Sequence, residues 1–144
     1  MSNYQHILVA VDVFSDFAPV LNRALELAGK TAKLSLIYVV EPVFYSDTYL
    51  ANPPSEIQEQ LRTQALNKFE KLGKELNIPK DRQIIEQGRP ATYIHESAAK
   101  LQADAIVIGC HGRHGLQLLL GSTANAVLHG ATCDVLAVRV GKGT

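Results

Sequence analysis

The sequence predicts an α/β fold: an open, mostly parallel sheet with helices on both faces. The first sign is a set of nearly unbroken aliphatic runs, "HILVAV", "KLSLIYVV" and "ADAIVIG", which read as strands buried on both faces. The second is that the segments between them repeat apolar residues at steps of three and four, so strand and helix alternate along the chain. The third is punctuation, because glycine, proline and capping residues stand where the two patterns change over. Right-handed crossovers between parallel strands then distribute the helices over both faces.

The elements follow in order. His6 to Val11 is the first strand, and Asp12 ends it. Ser15 is placed to cap a helix whose apolar stripe is Val20, Leu21, Ala24, Leu25, Leu27 and Ala28, with Gly29 closing it. Lys33 to Val40 is the second strand, stopped by Glu41-Pro42. Val43 to Pro54 turns irregular, with Tyr45, Tyr49 and Pro53-Pro54, and reads as a loop. Ser55-Glu56-Ile57-Gln58 has capping-box spacing, and Ile57, Leu61, Ala65, Phe69, Leu72 and Leu76 mark the longest helix, broken by Asn77-Ile78-Pro79. "DRQIIEQ" is a short strand whose polar flanks suit a sheet edge, and "GRPATYIHESAAKL" opens a third helix after Gly88 and Pro90. Ala103 to Gly109 is a buried strand, Gly121 to His129 a fourth helix, and Cys133 to Val140 the final strand. His6 flanks the first strand, His95 and His129 read as helix-surface residues, and Cys133 as a buried strand opener. Without repeats or low-complexity stretches, residues 1–144 fit one domain.

Bulk composition excludes several functions. Fourteen basic residues offset fourteen acidic ones, so no broad positive field exists to draw nucleic acid or an anionic membrane surface. No apolar run approaches the about 20 residues that span a bilayer, and "MSNYQHILVAVD" lacks the basic and apolar regions of a secretion signal. A cytoplasmic location follows as the expectation. Cys110 and Cys133 are too few for a disulfide framework.

Ligands of such sheets collect beyond the carboxyl ends of the strands, where the strand order reverses. Asp12, the Val39 to Glu41 segment and Gly109 all fall at such ends, so three segments point at one crevice. After Gly109 comes "CHGRHGLQLLLGST", whose glycines leave backbone N–H groups open to an anion. Gly121-Ser122-Thr123 adds a helix N-terminus with two hydroxyls among its unpaired donors, and Arg113 adds charge, helped by His111 and His114. On the residues alone, a phosphate cradle and a tight strand-to-helix reversal fit equally, and neither GxGxxG nor GxxxxGK[ST] is present.

Taken together, "HILVAVD", "GRPATYI", "ADAIVIGCHGRHGLQLLLGSTANAVL" and "CDVLAVRV" resemble the bacterial universal stress protein family, the UspA-like domains, over nearly the whole chain. That resemblance implies a five-stranded parallel sheet in the order 3-2-1-4-5 with four helices, the adenine-nucleotide alpha-hydrolase-like arrangement. It also implies a homodimer through the last strand, Val135 to Val140, and ATP or AMP as ligand, with Mg²⁺ able to bridge the phosphates. Nucleotide-binding members carry G-x2-G-x9-G-[ST]. This chain keeps Gly109, Gly112, Gly121 and Ser122, but residues 113–120 make eight intervening positions rather than nine. Carried onto matching positions, the family roles put Asp12 at the ribose or adenine, Val39 with its backbone at the adenine, and Ala10 along the base. Gly109 lies beneath the sugar and alpha phosphate, while Gly112, Gly121, Ser122 and Thr123 donate to the phosphates. Asp12 also reads, without the family, as a strand-end residue capping the first helix.

Other chemistry is less well served. Cys110-His111-x2-His114 brings three ligating residues together but no second cluster completes a tetrahedral set, so no metal site is expected. No nucleophile, base and orienting acid fall into one motif, so no catalytic residue is assigned. The function expected is adenine-nucleotide binding in a regulatory or sensing role in the stress response. Two alternatives use the same chain differently: a dimerising interaction protein without nucleotide, and a slow ATPase. The strand "VLAVRV" is an apolar edge that suits pairing with its own copy.

Overall fold

The computed structural model describes residues 3–41, 54–111 and 122–140. Among them, strands β1 (His6–Ala10), β2 (Lys33–Val40), β3 (Gln83–Gln87), β4 (Ala105–His111) and β5 (Asp134–Val140) form one sheet. All neighbours are parallel, in the order β3-β2-β1-β4-β5, as the resemblance implied. Helices α1 (Ala18–Ala28), α2 (Pro54–Leu76), α3 (Pro90–Leu101) and α4 (Ser122–Gly130) connect them, with a short 3-10 turn at Lys80–Arg82.

Alternation along the strands divides the interior in two. Ile7, Val9, Leu36 and Val107 face α1 and α2, packing with Val20, Ala24 and Phe69. Leu8, Ile37, Val39, Ile106 and Ile108 face α3 and α4, packing with Ile94, Ala98, Ala124 and Val127. This is why the strand runs carry no polar alternation: each side of each central strand meets a helix. The outer strands differ, and β5 alternates along its length at a sheet edge, leaving Leu136 38% exposed and Arg139 exposed on the other face.

Several boundaries differ from the sequence reading, each for a local reason. α1 begins at Ala18 with Phe17 before it, not after a Ser15 cap, because Ser15 is engaged in the turn that follows β1. Phe17 holds the capping position without a side-chain bond to the helix, and Asp16, one residue earlier, accepts from the Ala18 N–H at 3.3 Å. α2 already includes Pro54, so Ser55 lies inside the helix rather than capping it. β4 starts two residues later than expected and runs past Gly109 to His111, because β5 offers partners as far as Val140. β1 stops at Ala10, β5 begins at Asp134 and α4 spans Ser122–Gly130. Cys133 is half-buried just before β5 rather than opening it. His95 is not a plain surface residue: it is half-buried and its Nε2 lies 2.8 Å from the Val127 carbonyl, joining α3 to α4. The irregular stretch with Tyr45, Tyr49 and Pro53 lies outside the described residues.

Gly88 links β3 to α3. Its φ of 145° favours glycine, its N–H donates to the Val40 carbonyl at 2.9 Å, and an added Cβ would come within 2.6 Å of the Tyr93 ring. The "GRP" stretch is thus a fitted corner that brings Pro90 and Ile94 over the sheet end.

At the amino ends of the strands, His6 Nε2 and the fully buried Ser35 hydroxyl lie 2.6 Å apart. Burial, aided by the charges of Arg82 and Lys33, holds the His6 pKa below its ordinary 6.5. The folded protein therefore resists a proton that the unfolded chain accepts. Stability is full above 6.5 and is lost as pH falls through that value toward the lower folded pKa. Thermal melts should show a falling midpoint below pH 6.5 that His6→Gln flattens; identical profiles for both proteins would remove His6 as the cause. The neighbouring Asp104 acts in a separate, more acidic window. Burial raises its pKa, but the Gln5 and His6 N–H groups outweigh that and hold it below 3.8.

Candidate functional site

The chain leaves β1 on one side to build β2 and β3, then returns to the other side to place β4, so the strand order reverses at the β1/β4 junction. A cleft of about 390 Å³ opens there, at the carboxyl ends of the strands, within the size range of small-molecule sites. It arises because β1 is short. Ala10 is its last residue, paired with Ile37 and Ile108, whereas β2 continues three residues to Val40 and β4 three to His111.

Of the residues expected at the site, Ala10, Asp12, Val39, Gly109 and Thr123 all line this one cleft. Asp12 stands at its mouth, exposed. Its Oδ1 accepts the Phe14 N–H at 3.1 Å, and its own carbonyl accepts the Ser15 N–H at 3.1 Å and hydroxyl at 3.2 Å. This is a self-closed Asp turn, not a cap on α1, which begins six residues later.

Val39 contributes through its backbone. The Val11 N–H donates to the Ile37 carbonyl at 2.9 Å, so the Ile37 peptide groups face β1. The Val40 carbonyl accepts from Gly88 on the β3 side, so alternation turns the Val39 N–H and C=O toward β1 as well. There β1 has already ended, and no backbone bond to Val39 from the turn is present among the described residues. A donor and an acceptor one residue wide thus face the cleft.

Gly109 forms part of the floor. A Cβ there would lie 3.0 Å from Val20 Cγ2 and 3.4 Å from Val140 Cγ1, so packing between α1 and β5 asks for glycine independently of any ligand. Thr123, half-buried, and Ser122 stand in the first turn of α4, where helix N–H groups lack intrahelical partners. Gly112, Arg113 and Gly121 lie outside the described residues.

Glu41, at the end of the segment expected there, also lines the cleft, while sequence reasoning missed Tyr38, Leu61, Pro90, Ile94, Ile108 and Asp16 among the other wall residues. Burial, then the charges of Asp12 and Glu41, pushes the Tyr38 hydroxyl up to about 12, so it stays a neutral donor at physiological pH. Position was the available signal, since Tyr38 and Ile108 immediately precede the strand-end residues that were singled out. The described wall carries three carboxylates, so an anionic group is favoured only on the α4 side. Among the described residues no group of three His, Cys, Asp or Glu is arranged to hold a metal ion.

A larger hollow of about 820 Å³ lies at the opposite end of the sheet, lined by Tyr4, Glu26, Asp104 and Asp134 among others. Two of its carboxylates are already engaged: the Tyr4 hydroxyl donates to Asp134 Oδ2 at 2.6 Å, and Asp104 accepts the Gln5 and His6 N–H groups.

Comparison with known proteins agrees with the architecture. The model of the universal stress protein family matches residues 3–139. Universal stress protein A homolog 2 of Coxiella burnetii is 44% identical over 144 residues, covering 97% of this chain and 98% of that protein. Homolog 1 of the same organism is 39% identical over 139 residues, covering 94% and 96%. Among solved structures, universal stress protein UspA from Lactobacillus plantarum has a TM-score of 0.76 at 27% identity, covering 96% of this chain and all of that one. A universal stress protein in complex with cAMP shares the fold, with a TM-score of 0.57 at 24% identity and 95% of this chain covered against 98% of that one.

Proposed function

The chain belongs to the universal stress protein family, and on that premise we propose that it binds an adenine nucleotide, ATP or AMP, as a regulatory or sensing ligand in the stress response. The observation that carries this reading is the convergence of Asp12, the open Val39 peptide groups and the first turn of α4 on one cleft at the strand-order reversal. Val39 C=O accepts from the adenine amino group while its N–H donates to ring N1, a pairing that a guanine edge would meet with donor and acceptor reversed. Ala10, Ile37 and Ile108 supply apolar surface for the base, and Asp12 accepts from the ribose hydroxyls. Gly109 underlies the sugar and alpha phosphate. The phosphates extend toward Ser122 and Thr123 in the first turn of α4; Gly112, Arg113 and Gly121, which belong to the same expected donor set, lie outside the described residues. A solved protein of this fold holds cAMP, so the adenine-nucleotide class is compatible with the architecture.

Mg²⁺ would fit here as a companion of the phosphates, beside the Asp12, Asp16 and Glu41 carboxylates, which are oxygen donors of the kind it takes. Held so, it supplies charge neutralisation beside an acidic wall. The same reading places the protein in the cytoplasm and pairs it with its own copy along the exposed edge of β5, with Leu136 in the contact. A second reading, an interaction protein without nucleotide, rests on the loop being one residue shorter than the family pattern.

Mass spectrometry of gently purified protein, followed by calorimetry with ATP, ADP and AMP, tests the proposal. Co-purifying adenine nucleotide or saturable heat supports it. No bound nucleotide and no heat at millimolar ligand would transfer the case to the second reading.

A further inference from the structure

Lys68 of α2 reaches across to the turn after β1. Its Nζ donates to the Val13 carbonyl at 2.7 Å and sits 5.1 Å from the centroid of the Phe14 ring, an ammonium–carbonyl bond joined to a cation–π contact. The Val13 carbonyl and the Phe14 N–H belong to the same peptide unit, and that N–H holds Asp12 Oδ1 at 3.1 Å. One peptide plane is therefore fixed at both ends, by Lys68 through oxygen and by Asp12 through nitrogen. Both anchors behind it are firm: Val13 is 1% exposed, and Phe69, next to Lys68, is 1% exposed in the core. The Phe14 ring, in turn, meets Tyr38 edge to face at 5.7 Å, and Tyr38 lines the cleft.

We propose that Lys68 is a positioning residue for the cleft, an α2 latch that fixes the Val13–Phe14 peptide and thereby aims the Asp12 carboxylate. The proposal deepens the nucleotide reading and rests on it. A bound ammonium polarises the peptide it touches and strengthens the opposite N–H as a donor to Asp12. Loss of the charge frees the peptide to rotate, and the carboxylate with it. The latch also gives α2, which otherwise packs on the β2 and β3 half of the sheet, a direct hold on the β1 side of the site.

The test uses the whole protein with Lys68→Met, which keeps the stem and removes the donor, and Lys68→Arg, which keeps the charge. Amide exchange at Phe14, measured by NMR without ligand, should quicken about tenfold in Lys68→Met and recover in Lys68→Arg. ATP affinity by calorimetry should fall roughly tenfold in Lys68→Met, and the double variant with Asp12→Asn should lose no more than Asp12→Asn alone. An unaltered Phe14 amide overturns the latch. So does a faster amide with ATP affinity unchanged, or losses that simply add to those of Asp12→Asn. A wild-type protein that binds no ATP overturns the nucleotide reading instead, and the ligand-free exchange still decides whether Lys68 holds the turn.

Discussion

Asp12→Asn should weaken ATP binding by about 10- to 100-fold while leaving the thermal midpoint almost unchanged. The separation arises because the two carboxylate oxygens have different duties. Oδ1 closes the local turn by accepting from Phe14, and an asparagine Oδ1 accepts equally well. The other position becomes an NH₂ group, a donor where ribose hydroxyls need an acceptor, and the charge is gone. Asp12→Ala removes both duties, so it should lose affinity similarly and also about 1 kcal/mol of stability from the orphaned Phe14 N–H. Calorimetry and melting of the two variants check this. Equal affinities for Asp12→Asn and the parent protein would mean that the carboxylate does not face the ligand.

The largest stability effect should come from Phe69→Ala, at about 3–5 kcal/mol, a large share of the roughly 5–15 kcal/mol that holds a domain together. Phe69 is the largest fully buried side chain among the described residues, 1% exposed, and it seats the middle of α2 on the core shared with α1. Around it the sheet surface is already filled by Leu36 and Val40, which cannot close a ring-sized void without moving the strands. Urea unfolding should shift its midpoint strongly downward with the slope preserved. A loss below about 1 kcal/mol would show that α2 relaxes into the space.

The sheet and its helices were legible because central strands and amphipathic helices write different periods into the chain, and the strand order came with the family resemblance. The cleft was legible in part. Asp12, Val39 and Gly109 stand where aliphatic runs stop, and topology turns such stops into one place. What could not be read depends on contacts across the fold. Lys68 sits among polar residues on an outward helix face, where a lysine reads as solvated until Val13 is seen opposite it. His95 looked like a surface residue for the same reason, since only the approach of α4 supplies its carbonyl partner. Ser15 was a sound cap by residue type, but the Asp12 turn claimed its hydroxyl first. Gly109 was read through a ligand's needs alone, whereas Val20 and Val140 impose the same choice.

The early end of β1 makes the cleft a notch in the sheet itself, three residues deep between two strands that run on without it. That is about 10 Å along the strands and about two strand spacings across. On the proposed reading, a flat base seated there and bonded through the Val39 peptide groups would act as a surrogate strand that spans the two halves of the sheet. Occupancy then becomes a structural variable: each tenfold rise in free ligand above its Kd adds about 1.4 kcal/mol to the folded state. A cell rich in nucleotide would hold a sturdier version of this protein than a starved one, and the sheet would register the difference.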